Sequence, residues 1–198
     1  MSYGLMVYSV DLDKVIAACG SGDDKLRRMI CGRFRNDLSR RQDWFSSEIE
    51  GGAPSPFDAI RALIMGDPPM VGHGFMYGYA YKDLVGHFGQ SQYNNPFSPC
   101  NHAWIEAIGA TLTTLGASTL SMSNLQYGGS PVKFPNPDDF PAFGYWSRDD
   151  VLAGNDLLNG PEFQSDLVPP DHAEAIDAIR GWLTFAAGRR DAIVAFYH

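Results

Sequence analysis

The chain has 198 residues, 44% of them hydrophobic and 19% charged, which is enough apolar material to bury a core and too little charge for a disordered polymer. Its 15 Lys and Arg face 23 Asp and Glu, a formal net charge of -8, so general nucleic-acid binding is excluded on sign and an anionic membrane is no partner. No window approaches the roughly 18 consecutive apolar residues of a membrane span, and the opening "MSYGLMVYSVDLDK" lacks the basic region and cleavage site of a signal peptide. A soluble cytoplasmic protein is expected, with Cys19, Cys31 and Cys100 as reduced thiols, since they are odd in number and without a C-x-x-C.

In chain order, Tyr3 to Val10 is apolar on both alternating faces and predicts a strand buried on two sides. Asp11 starts a short helix through Cys19, which stops at "GSGDD", where Gly20 or Gly22 can turn left-handed and Asp23 can cap the next helix. Leu26, Met29, Ile30, Phe34 and Leu38 then recur at helical spacing, predicting one helix from Asp23 to about Phe45 whose arginines form a solvated face. Ser55-Pro56 opens a helix ending at Gly66. The segment "FMYGYAYKDLVGHFG" places Tyr77, Tyr81, Leu84, Val85 and Phe88 on one stripe, with Gly89 as its cap.

Residues 90–100 have no period and read as a loop, after which Asn101 caps a helix ending at Gly116. Residues 117–143, with their prolines and Gly-Gly, predict short strand pieces and turns. Ser147 and Asp150 form a capping-box pair at the start of the next helix, and a further helix from Asp171 closes at Gly188. The final "AIVAFYH" is again a buried strand. Two strands too apolar for a solvated edge most simply lie side by side. The expected fold is a single α+β domain over residues 1–198, a small central sheet holding both terminal strands and packed by about six helices.

For chemistry, the sequence offers few groups. Cys100 and His102 flank a helix start, where the amides and dipole favour a thiolate, so they are the candidate nucleophile and base, with His73 as a further candidate. Against this, residues two apart at a helix start point in different directions. The five histidines have no H-x-x-x-H or H-E-x-x-H, so no metal is expected; Asp83 and His87 read as a solvated i, i+4 pair. "CGSGDDK" lacks the phosphate-loop spacing and puts two aspartates where phosphate needs cations. No cofactor fingerprint occurs, and no cofactor is expected. Within residues 1–50 eight basic residues match eight acidic ones, whereas residues 131–198 hold five basic and eleven acidic. That asymmetry steers a basic partner.

The stretches "EIEGGAPSPFDAIRALIMGDP", "YGYAYKDLVGHFG", "PVKFPNPDDFPAFGYW" and "IRGWLTFAAGRRDAIVAFYH" make the chain resemble, over nearly its whole length, an uncharacterised bacterial family found in actinobacteria among others. In the order of elements and the last helix leading into a final apolar strand it is also similar to the YfbM-like proteins. The resemblance implies a stand-alone intracellular bacterial domain and carries over no catalytic motif.

The functional expectation is therefore a non-catalytic binding protein, immunity-like or regulatory, that meets a protein partner with a basic surface. Tyr79, Trp146, Asp149 and Asp150 are the candidate contact residues. The alternative is a small-molecule enzyme built on Cys100 and His102, with its pocket between residues 90–102 and 66–75.

Overall fold

In the computed structural model, which describes residues 3–198, the chain runs β1 (Leu5–Val10), α1 (Leu12–Ala18), α2 (Asp24–Arg33), α3 (Arg35–Trp44), α4 (Ser46–Glu50), α5 (Pro56–Met65), α6 (Gly74–Phe88), β2 (Gln90–Ser91), α7 (His102–Thr114), α8 (Met122–Tyr127), β3 (Ala142–Trp146), α9 (Arg148–Leu158), α10 (Ala173–Arg189) and β4 (Ala192–Tyr197). The fold class is α+β, as the sequence implies. The described chain divides into two units: residues 3–11, 89–130 and 142–198 form one, and residues 12–88 and 131–141 the other.

The first unit is organised by a sheet of order β2-β1-β4-β3 in which every pair is antiparallel. The two terminal strands pair over six residues, from Leu5 opposite Tyr197 to Val10 opposite Ala192. β4 is buried at every position, whereas β1 leaves Met6 exposed. Phe196 is fully buried on β4, with the rings of Tyr8 and Phe143 about it at 6.0 and 5.9 Å. Beside the sheet's end, Ser9 Oγ donates to buried Asp191 Oδ2 at 2.8 Å, and Arg189 Nε donates to the same oxygen at 3.0 Å. The turn from α10 into β4 takes its left-handed residue at Arg190 (φ 59°) rather than at Gly188, and the Asp191 amide donates to the Ala186 carbonyl.

Residues 117–143 contain more order than their prolines imply. Ser121 caps α8, its side chain accepting from the Asn124 amide, and β3 comes next, paired with β4 from Ala142 to Trp146. Gly144 permits α8 to lie on β3, because a Cβ there would fall 1.8 Å from the Asn124 carbonyl oxygen. The capping box of Ser147 and Asp150 at α9 is present in both directions.

The second unit is helical. The expected single helix over residues 23–45 is two helices, interrupted at Phe34, and it ends at Phe45 as expected, with α4 following; both residues have ψ values near 20° that leave the helical path. At that end the Phe45 ring is seated against Phe75 and Tyr79 of α6, at 5.0 and 5.6 Å. Arg41, read in the sequence as part of a solvated face, is buried and ion-paired with buried Asp83 of α6; Asp83 therefore faces inward rather than forming an exposed pair with His87. Gly20 and Gly22 are both left-handed, and their amides donate to the last carbonyls of α5, Leu63 and Ile64, at 2.8 and 2.9 Å. "CGSGDDK" is thus a cap for a neighbouring helix, and these two amides are engaged. Gly74 admits the 131–141 segment beside the start of α6, since a Cβ would meet the Asn136 carbonyl oxygen at 2.1 Å.

Phe196→Ala should lower the unfolding free energy measured in urea by about 3–5 kcal/mol, the usual cost of truncating a fully buried aromatic; a loss under about 1 kcal/mol would show that β4 is not core. In the helical unit, burial outweighs the attraction of Arg41 and pushes the Asp83 carboxyl up from 3.8 to about 6. A carboxyl that holds its proton more tightly when folded contributes most below pH 3.8, and that contribution is lost as pH rises through about 6. Wild type should lose stability relative to Asp83→Asn across that interval, and the Asp83 carboxyl carbon should titrate near 6 by NMR; an ordinary carboxylate midpoint with parallel stability profiles would contradict it.

Candidate functional site

The residues singled out in the sequence divide between the units. Cys100 is half-buried in the first, its amide donating to the Tyr3 carbonyl at 2.8 Å, and burial pushes its thiol above the ordinary range. The helix start does not produce the lowered thiol pKa expected there. His102 opens α7 and is exposed; its Nδ1 lies 3.0 Å from Gln126 Oε1 and its Nε2 3.3 Å from Glu106 Oε1. Both ring nitrogens are engaged along α7 and α8. His73 belongs to the second unit.

Of the candidate contact residues, Trp146 is wholly buried on β3, where its indole Nε1 donates to the Ser121 carbonyl at 3.0 Å. It is a core residue and offers no surface to a partner, because the strand it sits on pairs with β4 and turns it inward. Asp150 is committed to the α9 capping box, whereas Asp149 beside it is exposed. Tyr79 is half-buried in the helical unit, packed on Phe45 with the Arg41 guanidinium 5.5 Å from its ring centre. No group of three or more potential metal ligands occurs among the described residues.

The geometry of the first unit assembles a different set. Along one stripe of α10 stand Glu174, Asp177, Ala178, Gly181, Trp182 and Phe185, at the i, i+3, i+4, i+7 spacing of a single helix face. Gln92 and Tyr93, just after β2, form the facing wall of an open groove of about 620 Å³. The walls are held on two sides. The Gln92 amide donates to the Val7 carbonyl of β1 at 2.9 Å, and the Trp182 indole Nε1 donates to the Tyr93 carbonyl at 2.5 Å. The Trp182 ring is itself buried on Phe97, with centroids 5.2 Å apart.

Electrostatically, the groove is acidic over an aromatic floor. The Tyr93 hydroxyl donates to Glu174 Oε1 at 2.8 Å, and that bond pushes the phenol's pKa up. Asp177 shares the Arg180 guanidinium at 3.2 Å, but this arginine is drawn away by the Leu158 carbonyl and lies over the Phe163 ring. Glu174 has no cation against it among the described residues. No lining residue is basic. At Gly181 a Cβ would meet nothing within 4 Å, so the groove is open above the helix backbone. Tyr93 is the exposed ring of the groove, while Trp182 is buried and the Arg189 guanidinium lies 5.5 Å from the Phe185 ring centre. Carboxylates beside an exposed π-face are what a lysine or arginine side chain finds complementary.

These features define an α+β protein that carries a preformed acidic and aromatic groove along its last helix. The chain belongs to the family described as a domain of unknown function (DUF7691), whose model matches residues 1–198. No curated protein and no solved structure matches the chain. Among the described residues, no helix is long and apolar enough to cross a membrane.

Cys100 should label with a thiol reagent as a protonated thiol does. In a Cys19→Ser, Cys31→Ser background the pH–rate midpoint should lie above the value of free cysteine, about 8.5. A midpoint below that value would restore Cys100 as a nucleophile.

Proposed function

We propose that this chain is a non-catalytic binding protein that docks a basic segment of another protein along α10, in an immunity-like or regulatory role. The observation that carries the proposal is one stripe holding Glu174 and Asp177 above Trp182 and Phe185, with Tyr93 opposite and no cation among the lining residues. A lysine or arginine entering this groove meets the carboxylates and the exposed Tyr93 ring together, and its alkyl stem can lie on the open backbone at Gly181. The acidic excess of residues 131–198 adds long-range attraction to the same partner. Three free thiols fit the reducing interior of a cell.

A groove of this size takes a few side chains, so affinity in the micromolar range is expected. Fluorescein-labelled dodecapeptides bearing two lysines or arginines three residues apart, with glutamine counterparts as controls, provide the probe for fluorescence anisotropy. The basic peptides should bind and the glutamine peptides should not. Glu174→Gln with Asp177→Asn should weaken binding about tenfold, and raised salt should weaken wild-type binding in parallel. Gly181→Leu is the decisive variant, because it improves helix propensity while filling the groove: the fold is kept and binding is lost. Equal binding by Gly181→Leu, or no binding by any basic peptide, would refute the proposal.

A further inference from the structure

The helical unit contains a second concavity, separate in composition from the α10 groove. It has a volume of about 280 Å³ and is walled by the end of α1, the segment just after α5, Tyr77 of α6 and residues 132–134. Its surface is largely apolar and is lined by Pro68, Pro69 and Phe134, together with Leu63 and Tyr77, which are themselves buried. Burial raises the Cys19 thiol in this wall to about 11, so at neutral pH it too is an uncharged surface.

The walls are fixed before any ligand arrives. The Tyr77 hydroxyl accepts from the Met70 amide at 2.8 Å, tying α6 to the two-proline segment. On the opposite side, the Phe134 ring lies 5.6 Å from Tyr81, and the approach of Asn136 to Gly74 holds the 131–141 segment at the start of α6. The carbonyls at the end of α5 are closed by amides, Leu63 by Gly20 and Ala62 by Gly66 and Asp67, so no open row of acceptors faces the space.

Two charged residues stand in the wall. Asp67 has Arg61 beside it at 3.7 Å, whereas Lys133 has no ion-pair partner among the described residues. The uncompensated charge is positive. For scale, an apolar cavity of about 150 Å³ accepts one benzene ring. A volume of 280 Å³ therefore suits a one- or two-ring molecule with a short substituent. We propose that this cavity binds a small aromatic monocarboxylate, with the ring system against Pro68, Pro69 and Phe134 and the carboxylate at Lys133.

The test uses the full chain and three matched probes: 1-naphthoate, 1-naphthalenemethanol and 1-naphthylmethylamine. Binding is read by amide chemical-shift titration and by protection of Cys19 from alkylation in a Cys31→Ser, Cys100→Ser background. 1-Naphthoate should saturate with Kd below about 1 mM, shift the Tyr77 and Phe134 amides and slow Cys19 labelling. The neutral alcohol should bind less tightly and the amine least. Lys133 is exposed, so Lys133→Glu leaves the packing intact. It should weaken 1-naphthoate and reverse the order of acid and amine, by about three- to fivefold each, the effect of one partly screened ion pair. Ala62→Leu, which fills the cavity, should abolish binding of all three, with circular dichroism confirming its fold. No saturable binding of 1-naphthoate, an unchanged order in Lys133→Glu, or full binding by folded Ala62→Leu would each overturn the proposal.

Discussion

The pairing of the two terminal strands is the constraint on which the first unit depends. β1 and β4 hydrogen-bond over six residues, and each also carries one outer neighbour, β2 on β1 and β3 on β4. The two walls of the groove descend from this pair. Residues 92–93 are attached to β1 through the Gln92 amide, while α10 feeds into β4 through a turn pinned by Asp191 to Ser9 of β1. The tryptophan bond between the walls, Trp182 to the Tyr93 carbonyl, closes a cycle that begins and ends on the same ladder. Such a cycle fixes the floor in advance, so little ordering entropy remains to oppose a partner.

The helical unit is held by polar contacts placed where apolar ones would be ordinary. Arg41 and Asp83 are buried together on α3 and α6. At Asp83 burial outweighs the attraction of Arg41, so the pair costs desolvation that its geometry only partly offsets. The glycine turn before α2 closes the carbonyl end of α5 in a similar way, by matching donors to acceptors that would otherwise be orphaned. These contacts place α1, α5 and α6 about the cavity and leave it without an unsatisfied row of backbone groups.

Much of this was legible where the signal is local. Asp23, Ser55, Asn101 and Ser147 all cap the helices their positions imply, because a capping residue acts within one turn. The terminal strands were legible from continuous apolar runs. β3 was not, since its central Gly144 weakens any strand pattern and its order comes from pairing with β4 some fifty residues later. The break at Phe34 was equally hidden, because the apolar spacing of residues 26–38 runs through it without interruption. Cys100 and His102 stand out in the sequence as rare residue types at a helix start, whereas their surroundings, a half-buried thiol raised by burial and an imidazole contacting Gln126 and Glu106, are set by tertiary packing. The groove stripe on α10 could be read from the spacing of Glu174, Asp177, Gly181 and Phe185. Its facing wall at Tyr93 could not, being 81 residues from Glu174 in sequence.

The groove is tested most directly by following the Trp182 indole N–H and the Tyr93, Glu174 and Asp177 amides in a two-dimensional NMR titration with a lysine-bearing dodecapeptide. Saturable shifts confined to these resonances and their neighbours on α10 are the predicted result. Shifts clustered on another surface of the molecule, with the Trp182 indole unmoved at saturation, would contradict the assignment of α10 as the binding face.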